Sequence, residues 1–343
     1  MIKVKDLLKY RSVWMTFSIL FIMLTHSGFH FPGLMRSAIN AGGVLGVDTF
    51  IFASGLGCAF SLCKNSDALS FYSRRASKIL PTYWFFMLFW VAGKLFLRNI
   101  TPLQILGNLF GIEYFSENGN AFNWYISSLL VTYLIAPVLV AIAQKCRKLS
   151  HYFLAFAILF LMTVSFWRND TLMVVIARFP IFFLGIGIGV WCNNAKEERT
   201  LSYEAIAGVF GLMIVGLVFG VIVFLRYKEY GWSFGLDFYP YILVVPGTCV
   251  FVSLICRLLE KCRVGRAVVR VLEFIGGYTF EIYLVHLSVF RLVTTYSTDK
   301  GITVPNSIWC VVFLIACVLA ALFCFLKNGL LRLWAKRSKK KTA

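Results

Sequence analysis

Hydrophobic segments long enough to cross a lipid bilayer recur along the whole chain of 343 residues. A membrane-spanning helix needs about 20 mostly apolar residues. Because lipid offers an open backbone no hydrogen-bond partners, each segment is predicted to be a helix. Ten spans are predicted, over residues 12–31, 43–63, 79–98, 122–143, 151–168, 172–192, 203–225, 239–257, 273–293 and 305–327.

The gaps between these spans are too short for a second globular domain. Residues 1–343 are therefore predicted to form a single all-α, polytopic membrane domain. Every second gap, counted with both termini, is rich in lysine and arginine, and these gaps hold 25 of the 34 basic residues. Short basic loops stay in the cytoplasm, so the N- and C-termini are both predicted to be cytoplasmic. The expected location is the cell (plasma or inner) membrane, as a multi-pass protein.

The formal net charge of +19 is spread over many loops, a distribution that does not favour a nucleic acid as partner. The basic tail, about residues 328–343, is expected to bind anionic lipid headgroups instead. The ten cysteines include no C-x-x-C pair, so neither a disulfide framework nor a metal site is predicted.

Two smaller patterns bear on packing. Glycines are frequent at 42–46 and 185–189, which predicts close approach of helices because small residues let membrane helices come together. Residues 103–114 read as an amphipathic piece on the outer surface.

Five ionisable residues inside the predicted spans are candidates for function: His26, Asp48, Arg178, Glu281 and His286. Such groups are costly in hydrocarbon and face the bundle interior or a wet cavity. At about 1.5 Å of rise per residue, four of them reach one layer in the outer half of the membrane. Glu281 is expected nearer the midplane, on a different side of its helix from His286.

Two interpretations of this layer remain open. Each histidine is able to bind a neighbouring carbonyl, and Asp48 with Arg178 is able to form a purely structural ion pair. Alternatively, the four residues are catalytic, since a neutral histidine takes a proton from a hydroxyl, as acyl transfer to an alcohol requires. No Gly-x-Ser-x-Gly motif is present, which disfavours a serine nucleophile of the soluble-hydrolase type.

Three basic residues, Arg74, Arg75 and Lys78, precede Pro81 on the predicted inner face. They match the ordinary excess of positive charge in cytoplasmic loops. They also suit a site for a phosphorylated donor, because guanidinium groups bind phosphate through two hydrogen bonds. Both interpretations stand.

Five motifs, in order along nearly the whole chain, resemble those of the membrane acyltransferase-3 family. They are G-V-D-T-F at 46–50 with S-G at 54–55, the segment 71–81 with its two arginines, N-W-Y-I at 123–126, Arg178 with F-F-L-G-I at 182–186, and Y-T-F-E-I-Y-L-V-H at 278–286. Two positions depart from the pattern. Met15 stands where the family usually carries Arg or Lys, and Lys78 replaces an arginine.

The resemblance implies a ten-helix domain that takes acyl groups, often acetyl, from cytoplasmic acyl-CoA and delivers them to an acceptor outside. It implies that His26 is the catalytic histidine and that Arg75 and Lys78 handle the donor. Acetyl-CoA is accordingly expected to bind near Arg74, Arg75 and Lys78, with its thioester reaching toward the polar layer.

We therefore expect an integral-membrane O-acetyltransferase that modifies a cell-surface glycan or lipid-linked saccharide, with membrane lipids as further partners and no metal. The alternative is a transporter or flippase without covalent chemistry. A polar layer is equally typical of a transporter, but the internal repeats that many transporters contain are not evident here. A scaffold protein would tolerate changes in the polar layer. Residues of one outer loop are able to contact a sugar or anchor the interface: Tyr227, Tyr230, Trp232 and Asp237.

Overall fold

The computed structural model describes residues 1–96, 100–116, 124–166, 169–194, 199–227 and 234–341. Two short strands, β1 (Ile2–Lys3) and β2 (Thr200–Leu201), pair antiparallel, and the remaining elements are helices. The helices are α1 (Val4–Leu8), α2 (Arg11–His26), α3 (Gly33–Lys64), α4 (Ala68–Phe96), α5 (Pro102–Phe110), α6 (Glu113–Ser116), α7 (Trp124–Lys145), α8 (Leu149–Val164), α9 (Asp170–Ile176), α10 (Phe179–Asn193), α11 (Tyr203–Arg226), α12 (Pro240–Leu259), α13 (Arg263–Gly276), α14 (Thr279–Asp299) and α15 (Asn306–Lys341).

Within the described residues, seven helical stretches are long and apolar enough to cross a membrane. They are α3, α4, α7, Thr171–Asn193, α11, α12 and the part Asn306–Leu331 of α15. The predicted all-α membrane fold is thus confirmed, while the number of ten spans and the position of the termini stay predictions. Helices α2 and α8 have only 16 residues each, fewer than the about 20 that a straight span needs.

Several predicted spans have different limits in the structure. Helix α2 ends at His26 and not at 31, α4 begins at Ala68 and not at 79, and α15 continues beyond 327. Helix α3 begins at Gly33, ten residues before the predicted start at 43, because its first turns carry Arg36 and Asn40 and so escape a search for apolar runs. The predicted span 172–192 is divided between α9 and α10. Pro180, in the first turn of α10, suits a new helix start because its missing N–H is not needed there.

The predicted span 273–293 also combines two helices. Helix α13 ends at Gly276 and α14 begins at Thr279. Glu281 therefore lies in the first turn of its helix, so its predicted depth near the midplane, counted from residue 273, is not supported.

Helix α3 lies at the centre of the bundle and packs against α2, α4, α7, α10 and α12. Its contact with α10 is close because glycines face backbone in both directions. A Cβ at Gly55 would collide with the carbonyl oxygen of Phe182, and one at Gly185 with that of Phe52. The predicted role of the glycines at 185–189 is confirmed at this crossing, since a larger side chain would push the helices apart.

The glycines near the start of the predicted second span set the other close contact. A Cβ at Gly43 would collide with Thr25 Oγ1, and one at Gly46 would lie 2.7 Å from the carbonyl oxygen of Ser18. Thr25 Oγ1 also donates to the carbonyl oxygen of Ile39 at 2.9 Å. The C-terminal half of α2, which ends at His26, is thereby fixed against α3.

The amphipathic piece predicted at 103–114 is present as α5 and α6. A capping box at Thr101 and Gln104 starts α5, satisfying backbone N–H groups that have no helical partner. Trp84 Nε1 of α4 donates to the carbonyl oxygen of Leu109 at 3.0 Å. Leu103 and Phe110 remain exposed, as expected of a helix at the membrane interface.

The predicted basic tail continues the last helix, since α15 extends to Lys341. Lys327, the residue just before the predicted tail, points inward and is buried. Its Nζ lies 2.5 Å from Glu281 Oε1 and 3.1 Å from Thr82 Oγ1. A buried charge left without a partner is strongly destabilising, so this pair ties α4, α14 and α15 together.

The N-terminal segment is attached to the end of α12 by a surface pair. Lys9 Nζ donates to Glu260 Oε2 at 2.8 Å, and Tyr10 donates to the same oxygen at 2.7 Å. The hydrogen bond with Glu260 raises the pKa of Lys9, and the bond from Lys9 lowers the pKa of Glu260. Lys9 is exposed and Glu260 is partly exposed, so solvent screens the pair and it contributes little to stability.

The crossing of α3 and α10 gives a direct test. Replacing Gly185 by leucine forces a side chain into the backbone of α3, and overpacking of this kind costs about 3 kcal/mol, or roughly 10 °C in Tm. Gly211→Leu in α11 is the control, because nothing lies within 4 Å of its Cβ position. Thermal unfolding of both variants in detergent checks this; equal Tm values would contradict the packing described.

Candidate functional site

The two predicted histidines meet. His26 Nδ1 lies 3.2 Å from His286 Nε2, and the ring centroids are 5.5 Å apart with the planes at 28°. His26 is the last residue of α2, and His286 lies in the third turn of α14. The two helices pack against each other, which brings residues 260 positions apart into one hydrogen bond.

The hydrogen bonds fix which ring nitrogens carry protons when both rings are neutral. His286 Nδ1 lies 2.8 Å from the carbonyl oxygen of Ile282, and a carbonyl only accepts, so Nδ1 is the protonated nitrogen. His286 Nε2 is then bare and accepts from His26 Nδ1–H. The second nitrogen of His26, Nε2, is left unprotonated with a free lone pair, which is the state a general base requires.

The two rings differ in exposure. His286 is fully buried, at 0% exposed, whereas His26 is exposed at the end of α2. Next to it, Arg36 of α3 donates to the carbonyl oxygens of Ser27 and Thr25 at 3.3 and 3.4 Å. The guanidinium thus satisfies backbone acceptors at the end of α2 and holds the exposed histidine in place. A molecule that approaches from this end of α2 reaches His26 first.

Asp48 and Arg178 form a second, separate pair. Arg178 Nε lies 3.3 Å from Asp48 Oδ1, with both side chains almost completely buried. The guanidinium also donates to the carbonyl oxygen of Val174 and lies 4.1 Å from the ring centroid of Phe238 and 4.9 Å from that of Trp124. Arg178 lies at the break between α9 and α10. From there it contacts both the Val174 carbonyl of α9 and Asp48 of α3.

The predicted single layer of four polar groups is two pairs in the structure. Gly43 of α3 faces Thr25, the neighbour of His26. Asp48 is five residues further along α3, so it lies about 8 Å farther from the histidine pair along the helix axis. In the part of the chain that the structure describes, none of the contacts of Asp48 or Arg178 reaches either histidine. A catalytic role for this second pair stays a prediction.

The three basic residues predicted to bind the donor line one cavity. It has a volume of about 550 Å³ and includes Arg74, Arg75 and Lys78 together with Arg11. Among the described residues that line it, these four are cationic and none is a carboxylate. Four positive groups around an open space, without a negative partner, suit a ligand that carries several negative charges.

Arg11 was not predicted as a site residue. It lies one helical turn before Met15, on the same face of α2, and Met15 lines the same cavity. The resemblance predicts a basic residue at position 15. Met15 stands there, and Arg11, one turn earlier, brings a positive charge to the same cavity. Spacing along the helix was the signal, since residues four apart share a face.

Three tyrosines lie between the cavity and the histidine pair. Tyr133 lines the cavity and lies 5.1 Å from the guanidinium of Arg75. Tyr125 lies two turns away on the same helix, and its ring centroid is 5.0 Å from that of Tyr283. Tyr283 is in turn 5.8 Å from the ring of His286. We call Tyr133, Tyr125 and Tyr283 the tyrosine column.

The cavity itself ends below the histidines. Its upper lining is Met15, Ala53 and Ser54, and Ser54 is 11 residues from Gly43, or about 16 Å along α3. The open part of the expected route therefore covers only the first section, and the tyrosine column fills the remainder. Tyr283 was missed as a site residue; its buried hydroxyl has no hydrogen-bond partner among the described residues.

The outer-loop residues do not form a recognisable sugar site in the described part. Tyr227 is exposed at the end of α11, and Asp237 lies beside Phe238, which packs on Arg178. Tyr230 and Trp232, like Asn123 of the third motif, lie outside the described residues.

Comparison with known proteins gives one match. Residues 16–328, nearly the whole chain, match the family model described as an acyltransferase domain. Searches of the curated proteins and of the solved structures found no match.

Proposed function

The chain belongs to this family of membrane acyltransferases, and we propose that it transfers an acetyl group from cytoplasmic acetyl-CoA to a hydroxyl of a cell-surface glycan or lipid-linked saccharide. The observation that carries the proposal is the contact between His26 and His286, which leaves an unprotonated nitrogen on an exposed ring. The protein is a multi-pass membrane protein, and we place it in the plasma or inner membrane because envelope glycans are reached from there.

The proton transfers of the chemical step are carried by this pair of histidines. His26 Nε2 accepts the proton of the acceptor hydroxyl while its oxygen attacks the thioester carbonyl carbon. The new C–O bond forms, the tetrahedral intermediate carries the charge on its oxygen, and the C–S bond breaks. The leaving thiolate takes the proton from His26. His286 accepts from His26 Nδ1 throughout and stabilises the cationic ring.

A donor for the oxyanion is available next to the histidines. The hydroxyl of Tyr283 is buried without a hydrogen-bond partner in the described part, and its ring contacts His286. A buried unpaired donor is costly, and a developing oxyanion would satisfy it. Asp48 and Arg178 hold α3 to α9 and α10 and so keep the helices around the site in place.

We assign the donor, acetyl-CoA, to the cavity that the four basic residues line. The phosphates of acetyl-CoA would supply the negative charges that the described lining of this cavity, with Arg11, Arg74, Arg75 and Lys78, does not contain. Arg75 is fixed by stacking on Phe71 and Tyr133, at 5.4 and 5.1 Å, so its fork is oriented before the phosphate arrives. The thioester end then points along the tyrosine column toward His286.

The same column favours a short acyl group. Tyr125 and Tyr283 are 7% and 3% exposed and are in ring contact, and Phe50 packs on Tyr125 with ring centroids 6.1 Å apart. Dense packing of this kind leaves little room for additional methylene groups. Acetyl is therefore preferred over longer chains.

The first test concerns His26. Replacing it by glutamine removes the general base and is expected to lower transfer from acetyl-CoA by about 100-fold or more. His30→Gln is the control, because His30 is also exposed near the end of α2 but contributes only backbone groups to Asn306. CoA release and acetylation are measured with purified protein and an envelope glycan extract. Full activity in His26→Gln would contradict the mechanism, and movement of glycan without any CoA release would indicate a carrier.

The second test concerns donor binding. Arg75→Ala removes charge-assisted hydrogen bonds worth about 1.5–3 kcal/mol, so KM for acetyl-CoA is expected to rise about 10- to 100-fold with kcat little changed. Arg147→Ala, an exposed cation outside the cavity, is the matched control. A fall in kcat that saturating acetyl-CoA does not restore would show that Arg75 acts elsewhere than on the donor.

The third test concerns acyl length. Tyr125→Ala removes a ring from the column and is expected to raise the rate with butyryl- or hexanoyl-CoA relative to acetyl-CoA by about tenfold, since a methylene is worth about 1 kcal/mol in such a space. Tyr296→Ala, an exposed tyrosine at the other end of α14, serves as control. An unchanged preference in Tyr125→Ala would remove the column from the acyl route.

A further inference from the structure

Helix α13 presents three different faces. At 3.6 residues per turn, Arg263, Arg266 and Arg270 fall on one side, which we call the basic face. Val264, Val268 and Val271 lie on a second side, which we call the apolar face, and Phe274 lies one turn after Arg270 at the border of the basic face. Gly265, Val269 and Gly276 lie on the third side and are buried.

The buried side fixes how the helix is turned. A Cβ at Gly265 would collide with the carbonyl oxygen of Leu259 in α12, and one at Gly276 with that of Ser12 in α2. Thr16 Oγ1 of α2 also donates to the carbonyl oxygen of Leu272 at 2.5 Å. These contacts leave no rotation that would bury the apolar face against the protein.

The apolar face and Phe274 are so exposed that contact with water would be energetically unfavourable. Val264, Val271 and Phe274 are 74%, 58% and 67% exposed. Each large apolar side chain moved out of water is stabilised by about 1.5–3 kcal/mol. The helix joins the end of α12, which is apolar enough to span a membrane, to α14, so hydrocarbon lies within reach of this face.

The basic face is not neutralised within the protein. In the described residues, no ion pair is formed by Arg263, Arg266 or Arg270, and Arg266 Nη1 donates to the carbonyl oxygen of Glu260 at 3.1 Å. The carboxylate of Glu260 accepts from Lys9 and Tyr10 and also interacts electrostatically with Arg266, which leaves Arg263 and Arg270 without an ion pair among the described residues. Glu273 is the one acidic residue of α13, so a positive excess remains.

We propose that α13 is a binding site for anionic phospholipid, with the basic face on the headgroup phosphates and the apolar face in the adjoining acyl chains. A helix with an exposed apolar side flanked by arginines has the composition of an interfacial helix, and each cation near an anionic surface adds about fivefold in affinity. Because α13 is bonded to the start of α2, bound lipid also anchors the helix that carries His26.

The test compares two double variants of the full-length protein in mixed micelles with equal amounts of phosphatidylglycerol and phosphatidylcholine. Arg263→Gln with Arg270→Gln removes two cations of the basic face that make no contact within the described protein. Arg147→Gln with Lys148→Gln removes two exposed cations between α7 and α8. Native mass spectrometry measures the ratio of the two lipids retained.

The wild type and the α7–α8 variant are expected to retain phosphatidylglycerol preferentially, and the α13 variant to lose at least fivefold of that preference. The single change Arg263→Gln, with a smaller expected loss, replaces the double variant if the latter has a lowered Tm in detergent. An unchanged ratio in the α13 variants would overturn the proposal, and so would an equal loss in both double variants, since net charge alone would then explain the retention.

Discussion

The contact between His26 Nδ1 and His286 Nε2, at 3.2 Å, is the interaction on which the account of this molecule depends. A histidine inside a membrane protein has no water to define its protonation, so its neighbours must do so. Here the carbonyl of Ile282 orients His286, and His286 in turn orients His26. The order of these two bonds leaves one bare nitrogen, at the exposed end of α2. Everything in the surrounding packing serves to keep the two helix segments that carry these rings at the same height.

That packing follows from close backbone contacts more than from hydrophobicity. Lipid gives helices no reason to associate through apolar surface alone, and the central helix α3 instead meets α2 and α10 through glycines. Buried ion pairs supplement these contacts: Asp48 with Arg178 joins α3 to the break before α10, and Glu281 with Lys327 joins α14 to α15. Such pairs are costly to break on one side, so they specify which helices are neighbours.

Much of this arrangement could be predicted from the sequence. Apolar length identified a helical membrane protein, and His26 and His286 were recognised as ionisable residues inside it. Their similar predicted depth rested on a helix start at 273, whereas α14 begins at Thr279. Arg74, Arg75 and Lys78 could be grouped because helical spacing puts them near one another, and they line one cavity. The glycines at 42–46 and 185–189 were predicted to face other helices, and the structure agrees.

Other features could not be predicted because they depend on tertiary contacts. Hydropathy does not detect a helix start that contains Arg36, nor the division at Arg178, where only Pro180 gave a sign. Lys327 adjoins the predicted tail, and only the structure shows that it is buried beside Glu281. Asp48 was expected in one layer with the histidines, but its carboxylate lies beside Arg178 instead. The tyrosine column combines α7 with α14, and no local pattern links Tyr125 to Tyr283.

The most direct measurement is transfer across a membrane. The protein is reconstituted into vesicles that enclose an envelope glycan extract, and acetyl-CoA labelled in the acetyl group is added outside. Because the basic cavity and the exposed His26 ring lie at different ends of the bundle, we expect labelled glycan inside, with CoA released only outside. Folded protein that labels glycan only when donor and acceptor share one side, or not at all, would contradict it.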